Sequence, residues 1–216
     1  MKLTDDGQMR ITAATKVTLL RFLFIPVFVL LTLYYIIGLQ AGEGAEYCAY
    51  YRVGALVVFM LVALTDALDG YLARSRNEIT ELGRILDPLA DKTLLLSAIL
   101  VLTRPGLPQL QPQLPVWFSC IVLSRDVLLV LGAWVIHHFS GQMRVHPRMT
   151  GKIATFLQMG TVVWALADGP ARLFPWCAAA AAAFTLVSGG QYALDGIRQL
   201  ARSPRAAHRP EGPHPV

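Results

Sequence analysis

The chain has 216 residues, 55% of them hydrophobic and only 15% charged, with a mean hydropathy of +0.50. That balance excludes an ordinary soluble domain and points to a helical membrane protein. The formal net charge of +5 suits an anionic lipid surface. No stacking-aromatic pattern or nucleic-acid module accompanies the basic balance, so no nucleic-acid partner is expected. Cys48, Cys120 and Cys177 are odd in number and scattered, which fits neither a disulfide framework nor a metal site.

In chain order, residues 1–16 carry Lys2, Asp5, Asp6, Arg10 and Lys16 and lack the apolar core of a signal peptide. They read as a cytoplasmic N-terminal segment. Residues 17–39 form the first apolar run long enough to span a bilayer, with Arg21 near its start. An arginine there either snorkels to lipid headgroups or faces a polar cavity. Residues 40–52 read as a loop, and residues 53–72 as the second span. A polar turn at 75–82 leads to a third span at 83–102, with Pro88 in its early turns. Residues 103–115 contain Pro105, Pro108, Pro112 and Pro115 and read as a loop.

The fourth span, 116–138, contains Ser124-Arg125-Asp126. This Arg–Asp pair either cancels charge or turns its arginine toward a polar cavity. A basic loop at 139–150 follows, then a fifth span at 151–167 that opens with Gly151-Lys152 and contains Gln158. After a loop at 168–175, the sixth span at 176–200 holds the alanine run 178–183 and Ser188-Gly189-Gly190, both suited to close helix packing. Residues 201–216 are rich in Pro, Arg and His and read as a disordered basic tail. The expected fold is therefore all-α: one integral membrane domain, 17–200, built as a bundle of six transmembrane helices.

Basic residues set the orientation. Lys2, Arg10, Lys16, Arg74, Arg76, Arg84, Arg144, Arg148, Lys152, Arg198, Arg202, Arg205 and Arg209 fall on one side, against Arg52, Arg104 and Arg172 on the other. The positive-inside rule then places both termini in the cytoplasm.

The chemistry concentrates where the second span ends and the third begins. On a helix, Asp66, Asp69, Gly70 and Ala73 share one face, and Gly83, Asp87 and Asp91 form a second stripe. Four carboxylates around one cavity must protonate or take a counterion. All-oxygen ligands favour a hard cation such as Mg²⁺ or Mn²⁺. Small residues let a ligand approach the backbone, and Arg74 offers a fork suited to phosphate. The stripes read as a site for a divalent metal and a diphosphate.

The full string is D-x2-D-G-x2-A-R-x8-G-x3-D-x3-D, from Asp66 to Asp91. It resembles the signature of the CDP-alcohol phosphatidyltransferase family, with every position filled. The resemblance extends less specifically from about residue 18 to residue 152. It implies a six-helix enzyme of the cytoplasmic (inner) membrane, usually a homodimer. Such an enzyme moves a phosphatidyl group from CDP-diacylglycerol to an alcohol and releases CMP. By the resemblance, Asp66, Asp69 and Asp87 hold the metal, and Asp91 contributes to it and is the candidate catalytic base. Asp69, Gly70, Ala73, Arg74 and Gly83 take the cytidine diphosphate group. Arg125 and Lys152 are candidates for an acceptor phosphate.

Two acceptors remain open. The run from Thr80 to Lys92 is similar to members that use glycerol 3-phosphate, a small phosphorylated alcohol. The run Ser124-Arg-Asp-Val-Leu-Leu is similar to the cardiolipin synthases of the family, which use phosphatidylglycerol. Ala133 stands where many of the glycerol 3-phosphate enzymes carry another arginine. Glycerol 3-phosphate is favoured. Intramembrane carboxylates also line ion pathways, but a transporter would spread its acids through the membrane depth. A polyprenyl transferase also uses aspartates and Mg²⁺ on a diphosphate, and the D-G-x2-A-R spacing argues against it.

Orientation gives a direct expectation: a cysteine placed in the tail is not labelled by an impermeant reagent outside intact cells, and is labelled once the cells are opened. Labelling of intact cells would reverse the topology.

Overall fold

In lipid a backbone must satisfy its own hydrogen bonds, so long apolar runs cross a bilayer as helices. The computed structural model describes the backbone of residues 13–76, 81–104, 110–140 and 149–202, and the side chains of 21–65, 90, 92–104, 110–132, 134–135 and 149–198. The described residues form six helices and no strand: α1 (Ala13–Ala41), α2 (Ala45–Arg76), α3 (Glu81–Leu102), α4 (Val116–Ser140), α5 (Met149–Leu166) and α6 (Phe174–Arg202). Residues 1–12 of the N-terminal segment, 141–148 of the basic loop and 203–216 of the tail lie outside the described residues.

Three stretches, Arg21–Ala41, Ala45–Thr65 and Phe174–Arg198, are long and apolar enough to cross a membrane, and Lys92–Leu102 is a shorter apolar stretch. Large apolar side chains point outward around the molecule, among them Leu30, Val53, Val130, Trp134, Phe156 and Leu186. Such an apolar exterior belongs in a bilayer. The chain is an integral membrane protein.

The first loop is much shorter than the sequence suggests. Residues 45–52, expected as loop, are helical, and the turn is confined to Gly42–Gly44. Gly42 has φ 71°, and the amide of Glu43 donates to the carbonyl of Gly38 at 3.0 Å. Tertiary contact overrides the polar composition here. The ring of Tyr47 lies so close to Gly38 that a Cβ there would sit 2.8 Å from it. Tyr51 stacks on Tyr34 at 5.4 Å and meets Tyr47 at 4.7 Å. Arg52 pairs with Asp168 of the α5–α6 turn at 2.7 Å.

Helix α1 packs on α2 and α3, α5 on α6, and α4 on α6, while α2 and α3 also reach α5. Phe28, Phe59, Leu94, Ile99, Phe118 and Val162 fill the common core. The alanine run packs on one face only: Ala178, Ala181 and Ala182 are buried, whereas Ala179, Ala180 and Ala183 are exposed. Against them α5 buries Gly151, Ala154, Gln158, Thr161 and Ala165. Small residues on both sides let the two backbones approach.

One polar contact is sealed between these two helices. Gln158 Nε2 donates to Thr185 Oγ1 at 2.7 Å, and that hydroxyl donates to the Ala181 carbonyl at 2.7 Å. Both side chains are essentially inaccessible, and Gln158 Oε1 has no partner among the described residues. Thr185→Val keeps shape but strands the amide, so it should lower stability by about 1–2 kcal/mol. Gln158→Leu removes the amide, including its unpartnered oxygen, and should cost less than about 1 kcal/mol. Unfolding in mixed micelles measures both; equal losses would show that the buried amide imposes no such asymmetry.

Candidate active site

The aspartate pattern divides between two neighbouring helices. Asp66, Asp69, Gly70, Ala73 and Arg74 lie toward the end of α2; Gly83, Asp87 and Asp91 lie in the first half of α3. Their side chains are outside the described ones, so their places are given by helical register. Along α2, Ala55, Phe59 and Val62 are buried. Asp66 follows them at i+11, i+7 and i+4, and Asp69 at i+7 from Val62. Along α3, Ala90, Leu94 and Ala98 are buried. Asp87 precedes Ala90 by three positions, and Asp91 precedes Leu94 by three. Four acids carried by adjacent helices are, by chemistry, an all-oxygen donor set of the kind a hard divalent cation takes.

A second polar group lies on α3, α4 and α6. Lys92, one position after Asp91, donates from Nζ to both carboxylate oxygens of Asp126, at 2.7 and 2.9 Å. Arg125 Nη1 donates to the same Asp126 Oδ1 at 2.8 Å. Arg125 Nη2 donates to Ser188 Oγ at 3.2 Å, and the guanidinium lies 6.0 Å from the ring centre of Tyr192. A cation over an aromatic face is favourable when desolvated. The backbone was shaped to admit this arginine. A Cβ on Gly151 would come within 3.2 Å of Nη2, and one on Gly189 within 3.3 Å of Cγ.

Two cations share one anion in this trio, which leaves a net charge of one positive unit. Its accessibility is graded: 39% of the Lys92 side chain is exposed, against 18% for Asp126 and 8% for Arg125. The lysine is therefore the open end and the arginine the sealed end. An excess cation inside an apolar bundle calls for an anion.

Of the two acceptor-phosphate candidates, Arg125 belongs to this polar group. Lys152 is exposed, while its neighbour Gly151 is the α5 residue buried against Arg125. Asp126 pairs with Lys92 as well as with Arg125. Arg21 is buried at 2% exposure rather than snorkelling outward. Lys92, Ser188 and Tyr192 were not singled out as site residues from sequence. The signal for the first is a lysine directly after the last aspartate of the pattern, with an aspartate in the Ser124-Arg125-Asp126 run of α4 as the available partner.

The family model described as CDP-alcohol phosphatidyltransferase matches residues 11–187. The CDP-diacylglycerol–glycerol-3-phosphate 3-phosphatidyltransferase of Bacillus subtilis is 33% identical over 183 residues, covering 82% of this chain and 91% of that protein. A probable phosphatidylglycerophosphate synthase of Mycobacterium tuberculosis is 35% identical over 200 residues, covering 90% and 86%. A CMP-forming cardiolipin synthase of Streptomyces coelicolor is 35% identical over 131 residues, covering 60% and 56%. With the aspartate string complete and the match running through nearly all the helices, the chain belongs to the CDP-alcohol phosphatidyltransferase family.

Proposed function

We propose that this enzyme transfers the phosphatidyl group of CDP-diacylglycerol to glycerol 3-phosphate, giving phosphatidylglycerophosphate and CMP. The observation that carries the reading is the unbroken aspartate pattern carried by the neighbouring helices α2 and α3. Relatives named for glycerol 3-phosphate transfer, matched over most of both chains, support this acceptor.

In this reading Asp66, Asp69 and Asp87 would hold Mg²⁺ or Mn²⁺, with Asp91 contributing at the edge of the metal site. The bound cation would neutralise the diphosphate and stabilise charge on the departing CMP phosphate. Asp69, Gly70, Ala73, Arg74 and Gly83 accommodate the cytidine diphosphate group, the small residues giving room and Arg74 donating to phosphate oxygens. Asp91 takes the proton of the acceptor hydroxyl. That oxygen bonds to the lipid-bearing phosphorus, the bond from this phosphorus to the CMP oxygen breaks, and CMP leaves with the electron pair. Arg125 and Lys152 hold the acceptor phosphate. The acyl chains stay in the bilayer throughout.

All six helices cross the inner membrane, both termini are cytoplasmic, and the site opens near the cytoplasmic face where water-soluble acceptors are found. The distribution of Lys and Arg supports this orientation. The resemblance supports a homodimer. A second acceptor, phosphatidylglycerol, is favoured by the Ser124-Arg125-Asp126 run and by the relative named as a cardiolipin synthase.

Purified protein should release CMP from CDP-diacylglycerol when given glycerol 3-phosphate and a divalent cation. The lipid product should be phosphatidylglycerophosphate, and exhaustive chelation should abolish turnover until metal is restored. Turnover with phosphatidylglycerol and none with glycerol 3-phosphate would establish the cardiolipin reading. Full activity after chelation would remove the metal.

A further inference from the structure

We propose that Asp126 is a positioning residue for the transfer, tying Lys92 of α3 to Arg125 of α4 so that Lys92 presents the trio's surplus positive charge to the acceptor's phosphate. This rests on the reading above that the acceptor carries a phosphate.

The geometry is built from the sealed end outward. Arg125 is fixed by Ser188, by the Tyr192 ring and by the close backbones at Gly151 and Gly189. Its Nη1 fixes one oxygen of Asp126 at 2.8 Å. Both oxygens of Asp126 in turn hold the Lys92 ammonium. The placement of a flexible lysine is thus inherited from a rigid arginine on another helix.

Lysine has three N–H donors and no acceptor. Asp126 takes two of them, and the remaining donor lies at the exposed end of the trio. Its charge is the one unit that Asp126 does not neutralise. Lys92 also follows Asp91 directly, so the α3 backbone couples its position to that of the proposed base. A second link, between the Thr103 and Ser119 hydroxyls, joins the other end of α3 to α4. The two links hold α3 and α4 in register.

The phosphate could come from the acceptor or from the diphosphate of the CDP-lipid. Arg74 and the metal site already provide for the diphosphate, so the trio is assigned to the acceptor.

The test compares wild type, Lys92→Gln, Asp126→Asn and the double variant in one detergent, measuring KM for glycerol 3-phosphate and for CDP-diacylglycerol separately. Lys92→Gln removes the surplus cation and leaves a neutral Arg125–Asp126 pair. Asp126→Asn leaves two like charges untied. Each should raise the acceptor KM about tenfold or more while moving the CDP-diacylglycerol KM less than about threefold. Because Asp126 acts through Lys92, adding Asp126→Asn to Lys92→Gln should change the acceptor KM by less than about threefold. Asp126→Glu, which keeps the carboxylate, should recover part of the loss.

Additive effects, an unchanged acceptor KM, or an equal rise in both KM values would overturn the proposal. If Asp126→Asn does not fold, Asp126→Glu, alone and combined with Lys92→Gln, decides through the same KM split. If wild type accepts only phosphatidylglycerol, the glycerol 3-phosphate reading fails. The split measured with phosphatidylglycerol then still decides the role of Asp126.

Discussion

Charge inside an apolar bundle must be matched where it stands, because lipid offers it no solvent. Asp126 meets that demand for two helices at once. Its carboxylate receives Lys92 from α3 and Arg125 from α4. The packing of α4, α5 and α6 follows from housing the arginine. Gly151 and Gly189 leave the space it fills, Ser188 accepts from its Nη2, and Tyr192 offers its ring, while its Nε is buried without a hydrogen-bond partner among the described residues. Removing one member of such a group while leaving its partners buried costs on the order of 3–5 kcal/mol.

Helix α3 joins this polar group to the aspartate site. Asp87 and Asp91 lie in its first half, and Lys92 follows immediately. This pairing also bears on the aspartates themselves. Had Lys92 been their counterion, the motif could have been charge compensation alone. Asp126 takes that lysine instead. A divalent metal is the counterion proposed above for the four acids.

Much of the fold is legible in the sequence because lipid imposes a length. Apolar runs bounded by Gly, Pro and charge mark the helices, and the described residues form helices in each of those runs. The exception is instructive. Residues 45–52 read as loop because Tyr, Glu and Arg dilute the apolar signal, yet they form the first turns of α2. Their helicity comes from tyrosines packed across the hairpin onto Tyr34 and Gly38, a contact that local composition does not encode. The motif was legible because its spacing is local. The Lys92–Asp126 pair was not, since its members are 34 positions apart. From sequence Gly151 is only the residue before Lys152, whereas in the fold its missing side chain is what admits Arg125.

The central claim is that the four aspartates have different tasks: Asp66 holds metal and nucleotide, and Asp91 accepts the acceptor's proton. Asparagine keeps size and one acceptor oxygen but cannot take up that proton. The most direct measurement is metal-dependent nucleotide binding and turnover on Asp66→Asn and Asp91→Asn in the same detergent. The account predicts that Asp91→Asn still binds nucleotide while turnover falls by about 10²–10⁴, and that Asp66→Asn loses binding as well. Near-normal turnover of Asp91→Asn, or loss of its metal-dependent binding, would contradict this division.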